Sequence, residues 1–258
     1  MPKWKLIVEY QGTRYRGWQE QTNARTVQGE LRKALEEVFG ERLEIVGAGR
    51  TDGGVHALCQ VAHVRSRSPR APANMLNRIN DQLPSDINVL SIVQVAPEFH
   101  ARHDAVERLY LYQIATRRRA FNKHFVWWVK DQLDLLAMQK AAHALPGRHD
   151  FASFCDKGSE PCSTLVEVTC AQVIAHGELI LFRIGASHYL WKMVRRIVGV
   201  LVEVGRGNLA ASDMERLLVQ RKSPIAQWTA PPSGLFLECV RYQGELPPGQ
   251  LCPAFFSR

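Results

Sequence analysis

Residues 43–64 read LEIVGAGRTDGGVHALCQVAHV. Two apolar runs, Leu43–Val46 and Ala57–Val64, enclose GAGRTDGGVHA (47–57), which holds four glycines, an arginine, an aspartate and a histidine. Asp-Gly between apolar runs is the strongest short hairpin signal, so the stretch predicts two strands joined by a turn. Asp52 also admits a second reading. Glycines let a backbone approach a ligand closely, and a guanidinium such as that of Arg50 favours an ionised carboxylate. A carboxylate can act as nucleophile or general base. From these residues alone Asp52 is either a hairpin corner or a reactive group.

The pattern continues on both sides. Upstream, residues 3–10 (KWKLIVEY) read as a strand. The polar, glycine- and arginine-containing segment YQGTRYRGWQEQTNAR then forms a loop. Thr26 is placed to cap a helix whose apolar positions Val27, Leu31, Ala34, Leu35 and Val38 share one face, with Gly40 as its stop. Downstream, Pro72 suits the first turn of a helix reaching about Leu83. Strands are predicted over 87–96 and 108–116, with Arg108, Tyr110, Tyr112 and Ile114 on one face of the latter. A helix over about 131–145, strands near 164–175 and 178–187 and a helix over 190–204 follow. Ser212 and Glu215 have capping-box spacing for a helix ending near Arg221, and a last strand covers 234–242. Strands in adjacent runs with helices between them predict an α+β fold with antiparallel or mixed sheets and helices on one face. The split βαβ unit is the candidate motif. The element order suggests two related halves, 1–105 and 106–258.

The 258 residues are 46% hydrophobic and carry a formal net charge of +8. That charge bears on partners rather than fold. Basic clusters at Arg65–Arg70, Arg117–Arg119 and Arg195–Arg196 point to a polyanion, most simply nucleic acid. No apolar run is long enough to span a membrane and the start lacks a signal region, so a cytoplasmic protein is expected. The six cysteines, Cys59, Cys155, Cys162, Cys170, Cys239 and Cys252, make no CxxC pair and read as small reduced thiols. There is no P-loop, GxGxxG, HExxH or GxSxG motif. His100 and His103 read as polar structure rather than metal ligands. An enzyme built this way works with its own side chains.

GRTDGGVHALCQVAH (49–63) resembles the signature of the TruA-type tRNA pseudouridine synthases. The likeness runs through GTRYRGWQEQ and TVQGELRKAL (12–35), LPSDINVLSIVQVAPEFHAR (83–102), RLYLYQI (108–114), HDFASF (149–154), MVRRIVGVLVEVGRG (193–207) and TAPPSGLFLECVRY (229–242), in the family's order. Departures are Gln11 for an aspartate, Gly53 for an alanine, His103-Asp104 for Phe-Ser, and the extra charges Lys192 and Arg196 beside Met193-Val194-Arg195.

The resemblance implies two ferredoxin-like halves flanking an RNA-binding cleft, and conversion of uridine to pseudouridine at positions 38, 39 and 40 in the anticodon arm of tRNA. It implies Asp52 as catalytic nucleophile or base, Arg195 as the arginine that keeps it ionised, Tyr110 against the uracil, and Arg50 as a loop or phosphate contact. Arg14, Arg16 and Arg196 are candidate RNA contacts. No metal or small-molecule cofactor is expected, and the family implies a homodimer. A non-catalytic tRNA-binding protein is the alternative. The target base must leave its stack to be reached.

Overall fold

A computed structural model describes residues 1–67, 74–156, 163–220 and 224–254. They form two compact units, Met1–Val106 with Leu237–Leu246, and Glu107–Phe236 with Pro247–Arg258. In the first unit, β1 (Lys3–Tyr10) buries Leu6, Val8 and Tyr10 at alternate positions. Helix α1 (Val27–Phe39) starts where expected. Thr26 Oγ1 accepts the Gly29 amide at 3.3 Å, and Gly40 closes the helix with φ 69°. Val27, Leu31, Ala34, Leu35 and Val38 are its buried face. Strands β2 (Ile45–Gly47) and β3 (His56–Arg65) pair antiparallel through Ile45↔Val64, Val46↔His63 and Gly47↔Ala62. Helix α2 (Met75–Gln82) buries Met75 and Ile79, and the expected start at Pro72 lies outside the described residues. β4 (Ile87–Val95) completes the run. β1 lies between β3 and β4, antiparallel to both. α2 packs on α1 and on β4.

β5 (Ala105–Ala115) carries the chain into the second unit at Glu107, and β6 (Trp127–Trp128) runs parallel to the end of it. Helix α3 (Leu135–Ala142) is shorter than the expected 131–145, because Asp134 caps it by accepting the Ala137 amide at 3.0 Å. β7 (Gly147–Asp150), β8 (Leu165–His176) and β9 (Leu179–Ala186) follow, with Gly177 at φ 56° in the β8–β9 turn. Strand order here is β5-β9-β8-β7, all antiparallel. Helix α4 (Met193–Gly205) packs on α3, and α3 also lies on β8. Helix α5 (Asp213–Val219) lacks the expected capping box. Ser212 has φ −66° and ψ −17° rather than the extended backbone of a cap, and the Asp213 carboxylate instead accepts the Ala210 amide at 2.9 Å. The expected end at Arg221 lies outside the described residues. The last strand, β10 (Leu235–Tyr242), lies beside β3, and from Leu237 onward it belongs to the first unit.

The fold class is α+β, as the alternation of strand runs and helices predicts. Among the described residues no helix is long and apolar enough to cross a membrane. Cys59, Cys155, Cys170, Cys239 and Cys252 are free thiols, and Cys162 lies outside the described residues. Burial pushes the Cys59 and Cys170 thiols up from their ordinary range.

Candidate active site

The strands around Asp52 are as predicted, but the turn is not a two-residue hairpin corner. The β2–β3 ladder closes at Gly47↔Ala62. The chain then leaves the ladder, and Asp52 is the first residue of a turn whose central residues are Gly53 and Gly54. The Val55 amide donates to the Asp52 carbonyl at 3.1 Å, and Gly54 takes φ 82° inside that turn. Asp52 is half-buried and Gly53 is exposed.

The excursion is held by the N-terminal loop. Trp18 donates its amide to Thr51 O at 3.0 Å, and Gly54 donates its amide to Tyr15 O at 3.2 Å. Thr51 Oγ1 and Tyr10 Oη are 2.8 Å apart in a buried hydrogen bond. Gly12 donates its amide to His56 Nδ1 at 3.0 Å. From β3, Gln60 Nε2 donates to Gly49 O at 3.0 Å. Two glycines allow the two backbones to meet. A Cβ on Gly12 would lie 1.8 Å from Val55 O, and Gly17, at φ 96°, would bring one to 2.5 Å from Thr51 O. Trp18, 1% exposed, fills the space beside Gly47. Tyr15 donates from its hydroxyl to Asp86 and lies under the Arg25 guanidinium at 4.9 Å. Burial raises the Tyr10 and Tyr15 hydroxyls above the ordinary phenol range, so both stay protonated donors. The Tyr15 and Trp18 backbone bonds therefore hold the residues on either side of Asp52, Thr51 and Gly54.

Tyr110 is buried on β5, with its ring 4.9 Å from Tyr189 and edge-on at 83°. Tyr189 donates to Ile184 O at 2.8 Å, and burial raises its hydroxyl well above the ordinary range. Arg195 is half-buried in the first turn of α4. Its Nε donates to Ala230 O at 2.7 Å, and the Ala230 amide returns to Arg195 O at 3.0 Å. The neighbouring Tyr112 donates to Pro231 O at 2.8 Å. Gly234 makes room for it, since a Cβ there would meet Tyr112 Cε1 at 2.6 Å. Neither Tyr189 nor Tyr112 stood out as a site element in the sequence, although Tyr112 falls within the R-x-Y-x-Y pattern.

Arg14, Arg16 and Arg50 are exposed. Arg196 is not. It is buried, with its guanidinium 3.2 Å from Asp156 Oδ1, so its charge is used within the fold. Part of the other basic clusters is also occupied: Arg117 and Arg119 pair with Glu178, and Arg67 lies 3.8 Å from Glu41. Arg70 lies outside the described residues. The rings of His100 and His103 stand 4.1 Å apart, and His100 Nδ1 accepts the Arg102 and His103 amides at 3.2 Å each. Among the described residues no group of His, Cys, Asp and Glu could hold a metal ion.

Comparison with known proteins places the chain among enzymes that modify RNA. A family described as tRNA pseudouridine synthase matches residues 6–104 and 141–243. Relatives named tRNA pseudouridine synthase A include that of Moorella thermoacetica, 41% identical over 94% of this chain and 100% of its own length. That of Nitrosomonas europaea is 40% identical over 92% of this chain and 88% of its own. The chain belongs to the tRNA pseudouridine synthase family.

Proposed function

We propose that the chain converts uridine to pseudouridine at positions 38, 39 and 40 of the tRNA anticodon arm, with Asp52 as the catalytic carboxylate. The family and its relatives' shared name give the reaction, isomerisation of uridine in tRNA. The C1′–N1 bond breaks, the uracil turns, and a C1′–C5 bond forms to the same ribose. C5 loses its proton and N1 gains one, so the step balances with no oxidant and no net hydrolysis. Asp52 supplies the nucleophile or the base that starts it.

One observation carries Asp52. The backbone of Tyr15–Trp18 is bonded along Thr51–Gly54, which offers a half-buried carboxylate on a turn held by two hydrogen bonds to a second loop. Such fixed placement is how a catalytic group gains rate. Arg50, two residues before Asp52, supplies positive charge that an ionised carboxylate favours, and Arg195 supplies a cation for the anionic substrate. Tyr110 lies against the uracil. Arg14 and Arg16 contact phosphate, and Arg196 supports α4 from inside. The active species is a cytoplasmic homodimer on tRNA, its two halves of ferredoxin-like type.

The test uses tRNA tritiated at uracil C5. The purified chain releases tritium, and pseudouridine maps to positions 38–40. Asp52→Asn still binds tRNA but releases tritium about 10⁴-fold more slowly or worse. Wild-type release by Asp52→Asn would overturn the assignment. Binding without release by the wild type would leave a tRNA-binding protein.

A further inference from the structure

The two charges that depart from the family pattern, Lys192 and Arg196, flank Arg195, and both go to one carboxylate. Asp156 follows the short 3-10 turn Ala152–Phe154. Its Oδ2 accepts from Lys192 Nζ at 2.6 Å, and its Oδ1 lies 3.2 Å from the Arg196 guanidinium. Its amide also donates to Trp191 O at 3.0 Å. One residue thus makes three ties across the entry to α4.

That entry is strained. Lys192 is the cap of α4 with φ 62° and ψ 6°, a left-handed conformation that a long L-side chain seldom takes. Such a residue persists only where its surroundings over-determine it, and it clusters at functional sites. The Lys192 carbonyl then accepts the Arg196 amide at 3.0 Å and opens the helix. Arg195 lies between these two residues. Its own ties run the other way, from Nε to Ala230 O at 2.7 Å and back from the Ala230 amide at 3.0 Å. The direction of the Arg195 side chain therefore depends on where α4 starts. The Asp156 carboxyl is held below its ordinary range, first by the Lys192 hydrogen bond and also by Arg196, so the clamp stays charged at neutral pH.

We propose that Asp156 is a positioning residue for the isomerisation: it pins Lys192 in the left-handed conformation and Arg196 beside it, and so aims Arg195. The proposal rests on the reading of Arg195 as a substrate-binding residue. Asp156 itself makes and breaks no bond.

The experiment measures kcat and KM for tritium release from tRNA by the full-length chain, below the melting temperature of every variant. Asp156→Ala lowers kcat by about 10- to 100-fold, the range expected when a reactive group is misplaced by about an ångström, and leaves KM within about twofold. Adding Lys192→Gly restores most of kcat, because glycine holds a left-handed conformation without help. It does not restore the melting temperature, since Arg196 still lacks its carboxylate. Wild-type kcat in Asp156→Ala overturns the proposal, as does a lost kcat that Lys192→Gly leaves unchanged. A wild-type chain that releases no tritium fails the functional reading instead. The clamp is then judged by hydrogen exchange at the Arg195 Nε–H: protected in the wild type and faster in Asp156→Ala supports it, and equal rates overturn it.

Discussion

Gly53 stands where the family pattern has alanine, and its surroundings say what that difference costs. A Cβ built on Gly53 would lie 3.6 Å from the Arg16 backbone and from Tyr15 O, which is ordinary contact. Gly53 is also outside the set of glycines with positive φ, unlike its neighbour Gly54 at 82°. Alanine therefore fits the native turn and narrows only the unfolded chain. Gly53→Ala is expected to stabilise the protein by about 0.4–1 kcal/mol. A higher urea midpoint at unchanged slope, with tritium release preserved, is the expected result; a lower midpoint would show the turn needs glycine. Gly12→Ala is expected to do the reverse, because its Cβ would fall 1.8 Å from Val55 O and push the Asp52 loop out of place.

At the scale of elements, β3 joins the site to a buried histidine. His63, near its end, is 4% exposed, and its Nδ1 accepts the Ala101 amide at 3.1 Å. An amide can only donate, so Nδ1 must be bare and the proton sits on Nε2. Burial first, then His100, Lys3 and Arg65, hold its pKa down at about 4, with Asp104 opposing them. The unfolded chain takes up a proton near pH 6.5, while the native chain resists until about 4. Between those values the unfolded state binds more protons, so stability falls as pH falls. The melting temperature is expected to drop from pH 7 to 4.5, and His63→Gln, which keeps an acceptor without the titration, to flatten part of that drop. An equal drop in both proteins would assign it to other groups. What could be read from sequence divides along the same line of local against distant causes. Helix α1 was legible because Thr26, its apolar spacing and Gly40 are all local signals. The Trp127–Trp128 strand and Gly147–Asp150 were not, because two to four residues become a strand only through their partners on β5 and β8. Asp52 was visible as a residue, but the Tyr15–Gly54 and Trp18–Thr51 bonds that fix it are backbone bonds, marked in sequence only by Gly12 and Gly17. Asp156 carried no signal, since its three partners, Trp191, Lys192 and Arg196, lie on the far side of β8 and β9 in the chain.

For the whole molecule, a net charge of +8 is an average, and the fold decides which cations remain for a polyanion. Arg196, Arg117, Arg119 and Arg67 are engaged with Asp156, Glu178 and Glu41, so cluster counting overstates the available charge. Arg14 and Arg16 are exposed on the loop that holds Asp52, next to where substrate must arrive if Asp52 is catalytic. Each phosphate contact releases counterions, so log KM for tRNA should rise linearly with log salt, with a slope of about 0.7–0.9 per contact. Arg14→Ala and Arg16→Ala should each lower that slope by about one contact and leave kcat unchanged. Arg119→Ala should leave the slope close to wild type, because that guanidinium already neutralises Glu178 at 3.0 Å. A slope that falls with Arg119→Ala but not with Arg14→Ala or Arg16→Ala would move the phosphate contacts from the Asp52 loop to the Arg117–Arg119 turn.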